Sequence, residues 1–444
     1  MLRFHPFAVR FVLSSMLLMG AATAVAQSVA DELQADPNRA AGTFYALPIG
    51  KAPKGTPAPE GKKPFYINHY GCPTSYYRES SSLYEDPYAV FAKADSLGKL
   101  TPLGKNVKLR LDLLRRDAKN RTGELTTKGA DQSREIARQL VLRYPEVFTP
   151  DGYCSGRSIV QNNCLLTCEE ALVQVSSMVK DIKFNLTSSH REDRFMDPQD
   201  KTLEAQRWDS LTLAHYNRFL ALNSGNARLM ESLFSDQNFV IHTVDPEELS
   251  RQLFVLAGSI QHTDLGGHVT LYDLFTPAEI QSHWKKLNAK NYITNGACSL
   301  NGATQPFMQR ATLRNMIHMG DSVQRRDTPI VHLRYTSENV VMALACLMEL
   351  DNCGLQTDDL DGLGDLGWVN YRIAPLGGSI VMIHYRSEPG DPDVLVKVLL
   401  NGREARLPIE TDCAPYYHWN DVKRYYLRKL YRYENIRLNA EDPQ

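Results

Sequence analysis

From residue 63 onward, the apolar positions alternate between short β-prone runs and helical stripes. Pro64-Phe-Tyr-Ile-Asn-His-Tyr70 is rich in aromatic and β-branched residues and stops at Gly71, the pattern of a buried strand. The phrase Gly98-Lys-Leu-Thr-Pro-Leu-Gly104 is echoed at Gly123-Glu-Leu-Thr-Thr-Lys-Gly129. Each copy places a threonine where a helix should begin, and Pro102 suits a first helical position. In the second helix Ile136, Leu140, Val141 and Tyr144 share one stripe, and Pro145 marks the stop. Tyr153 to Val160 predicts a second strand, Asn162 to Ile182 a helix, and Lys183 to Ser188 another short strand.

Residues 190–327 carry helical patterns broken by Asn, Asp and Gly, with few strand signals. Strand character returns at Pro329-Ile-Val-His-Leu-Arg-Tyr335, and a helix follows over Val340 to Leu350 with Ser337 as its N-cap. Ser379 to Arg386 and Val394 to Leu400 read as strands joined by a hairpin turn at Glu388-Pro-Gly-Asp391. Trp419 to Tyr433 closes the chain as an amphipathic helix. The sum is an α/β fold whose core comes in two parts, 63–189 and 328–444, around a mostly α-helical insert at 190–327. The Pro-, Gly- and Lys-rich stretch 27–62 is expected to be an extended lead-in.

The first 26 residues change the expected compartment. Arg3 and Arg10 precede an apolar run from Phe11 to Met19, and Ala24-Val25-Ala26 fits a small-x-small cleavage site. A signal peptide cleaved after Ala26 implies a periplasmic or secreted protein. The apolar run is short for a membrane span, and no later segment is long enough, so no span is expected once the leader is gone.

Composition narrows the partners. With 444 residues, 43% hydrophobic and 23% charged, the chain can bury a large core. Without the leader it carries 48 basic against 51 acidic residues, a balance that argues against nucleic acid. Export permits disulfides among the eight cysteines, though spacing does not choose the pairs, and Cys164 and Cys168 share a helix face. No second close ligand pair accompanies them, so no zinc site, other metal or cofactor is expected.

Several motifs fail on context. Gly362-Leu-Gly-Asp-Leu-Gly367 spells a dinucleotide fingerprint but follows an acidic loop (Asp358, Asp359, Asp361) instead of a strand. That loop also lacks the closing Glu of a calcium hand. Cys72-Pro-Thr-Ser-Tyr-Tyr-Arg78 has the C-x5-R spacing of a thiolate set beside a cation, without the glycines that would let backbone N–H groups wrap a phosphate.

Five phrases carry a resemblance: Lys63 to Gly71, Ala94 to Gly104, Gly123-Glu-Leu-Thr126, Arg143-Tyr-Pro-Glu-Val-Phe148 and Val394 to Pro408. Together they resemble the histidine acid phosphatase superfamily, in particular its multiple inositol polyphosphate phosphatase branch. The resemblance implies a histidine-phosphatase (phosphoglycerate-mutase-like) core with an inserted helical domain. It also implies a phosphohistidine mechanism. In the family a first-strand R-H-G-x-R supplies the nucleophilic His and two Arg, a third Arg follows the second strand, and a late H-D or H-A-E adds a second His and the acid.

Laid on that pattern, the chain keeps His69-Tyr70-Gly71 and loses the rest. The Arg and His positions fall on Cys72 and Pro73, the second Arg on Tyr76, and the third on Asn163. The late motif reads Thr336-Ser337-Glu338, where Glu338 can stand for the acid and the second His is missing. Removing three charge-assisted contacts would weaken phosphate binding by roughly 4–9 kcal/mol, non-additively. The expected protein is therefore a pseudophosphatase with a possible small-molecule ligand in the old pocket. Tyr70, Tyr76, Tyr77 and Tyr335 are expected near that pocket, either gripping a ring or filling vacated space. The alternative is an active phosphomonoesterase with a relocated group, Cys72 with Arg78 or Glu338.

Overall fold

The computed structural model describes residues 28–50 and 54–441. The leader and its cleavage point after Ala26 lie outside the described residues. Eight strands form one sheet: β1 Lys63–Gly71, β2 Tyr153–Ser158, β3 Lys183–Ser188, β4 Ile330–Tyr335, β5 Ser379–Arg386, β6 Leu395–Leu400, β7 Arg403–Glu404 and β8 Tyr417–His418. Their order is β3-β2-β4-β1-β5-β6-β7, with β8 beside β6. β3, β2, β4 and β1 run parallel, and β5 and β6 turn the sheet antiparallel. The fold is mixed α/β.

β1 lies at the centre and is buried along all but its first residue, so its sequence is near-continuously apolar and aromatic. Register aligns the ends of three strands, Gly71 and Ser158 each opposite Tyr335. The loops after β1, β2 and β4 therefore leave the sheet side by side, where open α/β sheets bind ligands. The loop after β2 leads into the helix Asn162–Met178, and that after β4 into Glu338–Leu347.

The echoed Gly-x-Leu-Thr phrase has one physical meaning in both copies. Thr101 and Thr126 cap their helices, accepting the N–H of Gly104 at 3.0 Å and of Gly129 at 3.1 Å. Each glycine then lets its helix press against another backbone. A Cβ on Gly104 would lie 2.2 Å from the Leu233 carbonyl oxygen, and one on Gly129 1.9 Å from that of Ser75. The second contact fixes the loop that leaves β1.

Four expectations need correction. Residues 27–62 are not simply extended: Val29–Ala35 is a helix and Pro37–Phe44 a 3-10 segment, held by caps from Ser28 and Asp36, with Val29, Leu33 and Phe44 buried. The composition of 51–59 hid this ordered start. A helix at Ser82–Ser96 was not anticipated; Tyr84, Pro87, Phe91 and Ala94 form its buried face. The helix expected over Asn162 to Ile182 ends at Met178, and that from Trp419 runs on to Glu441. Finally, the segment between β3 and β4 is mostly helical but does not pack alone. Its hydrophobic core takes in Val29, Leu33, Phe91, Leu111 and Tyr371 from outside the insert. No helix of the described residues is long and apolar enough to cross a membrane.

Candidate functional site

The loop after β1 is tied down at every residue that replaces the expected motif. The Cys72 N–H donates to the Gly378 carbonyl at 2.8 Å, and the Pro73 carbonyl accepts from Gly377 at 2.8 Å. Thr74 meets Thr167 through its N–H at 3.1 Å, and the Ser75 N–H donates to Gln132 at 3.1 Å. His262 sits behind this loop, fully enclosed. Its Nε2 faces the Phe44 carbonyl at 2.8 Å and must donate there, so Nδ1, 2.9 Å from Ser75 Oγ, is the bare nitrogen. Burial, with Arg78 next in effect, pushes His262 down to about 3, so it stays neutral and acts as a strut.

Arg78 ends the loop. Its Nε donates to Ser259 Oγ at 3.0 Å, and its guanidinium lies over the Phe44 ring. No carboxylate among the described residues comes within ion-pair distance of it. Cys72 is 1% exposed, and burial first, then Glu338 and Cys164, holds its thiol well above the ordinary range. A neutral, enclosed thiol is a poor nucleophile, so the C-x5-R spacing does not produce an activated cysteine here. All eight cysteines are free, and only Cys413 is not buried.

Glu338 opens the helix after β4. Burial is the largest influence on it and raises its carboxyl to about 7, with Glu79 adding to the shift and Arg78 and Tyr76 opposing it. The Tyr76 hydroxyl donates to Glu338 Oε1 over a long 3.4 Å. Asn163, where the family has an Arg, is buried and donates to Glu79 at 3.1 Å. Ser337 holds the N-cap position of its helix without a side-chain cap bond, as does Gln161 for the helix after β2. Both line the same cavity.

That cavity, of about 590 Å³, opens between these strand ends and the helical layer. Arg78, Arg207 and Lys290 supply its cations, and Asp197 its one carboxylate. Among the described residues, none of the three cations is in an ion pair. Arg207 donates to the neutral Gln305 at 3.1 Å, and burial lowers its affinity for its proton. Amides from Gln161, Gln199, Asn291, Asn295, Gln309 and Asn339 make up much of the remaining polar wall. No histidine or cysteine is among the lining residues. A larger groove of about 1130 Å³ follows the helix Thr127–Arg143, where Arg138 pairs with Glu135 at 2.6 Å and Lys128 donates to the Thr263 carbonyl at 2.7 Å.

The tyrosines expected to grip a ring do not line the cavity. Tyr70, Tyr77 and Tyr335 are buried, and Tyr76 faces Glu338 and the Phe44 ring. They fill space, so a tyrosine-built ring site is withdrawn. Arg157 is also elsewhere, paired with Glu192 at 2.8 Å. Sequence reasoning missed Phe44, Arg207, Lys290 and the amides, which reach the site from distant segments. One signal was available: Leu287, Lys290, Asn291 and Thr294 recur at i, i+3, i+4 and i+7, one face of the helix Pro277–Asn295, and all four line the cavity.

No protein-family model and no curated sequence matches the chain. Its fold does match solved structures. The Bifidobacterium longum multiple inositol polyphosphate phosphatase in complex with inositol hexasulfate superposes with a TM-score of 0.72 at 14% identity, over 87% of this chain and 97% of that one. Its complex with phosphate gives 0.71 at 15% over the same shares. The phytase from D. castellii gives 0.64 at 13%, over 93% of this chain and 90% of that one. The chain thus has the histidine acid phosphatase fold.

Proposed function

We propose that this chain is a pseudophosphatase, a non-hydrolysing receptor for a small polyanionic, hydroxyl-rich molecule of the inositol polyphosphate kind. One observation carries this reading. Among the described residues the cavity keeps Arg78, Arg207 and Lys290 without ion-pair partners, while neither a histidine nor a cysteine lines it. Charge-assisted bonds from Arg and Lys hold phosphate oxygens, and neutral amides suit ring hydroxyls. The uncapped helix starts at Gln161 and Ser337 add positive backbone dipole on the same side. Neutralising the half-buried Arg78 and Arg207 with an anion also relieves part of the cost of leaving them unpaired. The leader-like residues 1–26 support an exported protein.

The test is calorimetric titration of the purified chain with phytate, beside an assay of phosphate release. Saturable binding that falls at least tenfold in Arg207→Gln, with no release above blank, supports the receptor. Absence of binding overturns it.

A second reading, an active phosphomonoesterase, is favoured by Glu338 alone. An acid near 7, set in the chain between the lining residues Ser337 and Asn339, suits protonation of a leaving oxygen. Water would then have to attack phosphorus directly. Phosphate release abolished by Glu338→Gln but retained in Cys72→Ser would establish this reading in place of the first.

A further inference from the structure

Far from the cavity, the loop before the closing helix gathers a second set of reactive side chains. Asp412, Cys413 and His418 each present a ligand atom, and these atoms all lie within 4.8 Å of one another. His418 Nε2 is 3.1 Å from Asp412 Oδ1, and Cys413 Sγ packs 3.3 Å from Thr411 Oγ1. The other ring nitrogen, Nδ1, is 2.7 Å from Asp393 Oδ1, a residue that comes from the turn before β6. Asp393 is itself positioned, because its Oδ2 lies 3.2 Å from Lys62 Nζ. A carboxylate behind one imidazole nitrogen, with the other aimed at a thiol and a second carboxylate, is the arrangement of metal-ligating histidines.

We propose that Asp412, Cys413 and His418 form a binding site for one zinc-like divalent cation, with Asp393 orienting the histidine. The donor set of one sulfur, one nitrogen and one oxygen suits borderline-soft Zn²⁺ and disfavours Ca²⁺ or Mg²⁺. Bonds of ~2.0–2.3 Å in a tetrahedron bring ligand atoms ~3.3–3.7 Å apart. The Nε2–Oδ1 pair is already near that separation, and the sulfur needs to close by no more than about 1 Å. The Nε2 proton and the thiol proton leave to solvent as the cation arrives, with no change of oxidation state. A fourth position stays open to water, since Asp412 faces solvent. The cation would close the loop from Asp412 to His418 on itself. Sequence reading missed the site because it sought cysteine pairs, whereas here one Cys and one His five residues apart meet an Asp at each end of the assembly.

The experiment is titration of the reduced, chelator-treated full chain with Co²⁺, followed by displacement with Zn²⁺. One equivalent of Co²⁺ should produce a near-ultraviolet thiolate-to-cobalt band and the intense visible bands of four-coordinate cobalt, both bleached by Zn²⁺. The seven other cysteines are buried, which assigns that band to Cys413. Cys413→Ser should lose it while keeping its circular dichroism, and Asp393→Asn should weaken Zn²⁺ binding 10–100-fold. No charge-transfer band, or one that survives Cys413→Ser, overturns the proposal. In that case His418 is only a ring held between two carboxylates.

Discussion

The guanidinium carbon of Arg78 lies 3.2 Å from the centroid of the Phe44 ring. The ring is fixed in turn by His262, edge-on at 4.5 Å, and by Tyr76 at 5.1 Å. A residue of the N-terminal segment thus seats the cation at the mouth of the β1 loop. Stacking orders the guanidinium without neutralising it, as a carboxylate would, so the charge remains available to an anion. A cation–π contact contributes about 0.5–2 kcal/mol.

Phe44→Leu keeps the position apolar and removes the ring. Phytate affinity should fall by a factor between about 2 and 30, the cation–π contribution expressed as a ratio. Thermal stability should also fall, because three buried carbons and the ring contacts to His262 and Tyr76 are lost. Calorimetric titration reads the first and a melting curve the second. Unchanged affinity would show that Arg78 does not need the ring.

Glu338 makes binding depend on pH. Its folded value, about 7, lies above its ordinary 4.5, so the native state holds a proton that the unfolded chain has released between those values. Stability from this group is present below 4.5 and is lost as pH rises through 7, by on the order of 1–3 kcal/mol. The carboxylate formed above 7 also offsets Arg78 and repels an anion. Wild type should therefore bind phytate more weakly at pH 8 than at pH 6. Glu338→Gln should match it at pH 6 and bind more tightly at pH 8. Parallel pH profiles for the two proteins would exclude Glu338 as the titrating group.

Much of the sheet was legible because buried strands announce themselves: β1, β4, β5 and β6 fall within a residue or two of their apolar runs. Thr101 and Thr126 were legible as caps because capping is local. The family phrases located the strand ends and led to the loop after β1. What the loop does was not legible, since its role depends on Phe44, Gln132 and His262, residues placed by packing and not by spacing. Arg207 and Lys290 enter from separate helices of the inserted segment, and nothing local marks Arg207 as facing a cavity. The ordered start at 29–44 was hidden by the neighbouring Pro- and Lys-rich stretch.

Gly129→Ala should damage the site more than its distance from the cavity suggests. The added Cβ meets the Ser75 carbonyl oxygen, a backbone atom that cannot rotate away. Either the helix start or the loop carrying Ser75 to Arg78 has to move, a strain of about 1–3 kcal/mol. The matched control is Gly104→Ala, which meets the Leu233 carbonyl instead. Both should lower the melting temperature, but only Gly129→Ala should also weaken phytate binding. Equal binding by the two variants would show that the loop tolerates the shift.

Acid should unfold the protein with unusual steepness. Five histidines among the described residues are buried and held below their ordinary 6.5, burial being the largest cause in each. His69 and His283 are lowered to about 4, and His262, His332 and His384 to about 3. His384 has no hydrogen-bond partner for either ring nitrogen, so protonation there brings no compensating contact. A folded value below the unfolded one means that the unfolded chain binds more protons. Stability from these groups is complete above 6.5 and is lost as pH falls toward 4, each approaching ~1.4 kcal/mol per pH unit. Glu338 acts in the opposite direction over part of this window, but it is one group against five. Urea midpoints taken from pH 7 to pH 4 should drop sharply below pH 6, with an uptake of several protons on unfolding. His384→Phe retains the aromatic contact with Trp419 while removing one titrating ring, and should flatten the profile by about one proton. A profile identical to wild type would mean that His384 takes up its proton in the folded protein as readily as in the unfolded chain, and burial would then not be what sets its charge.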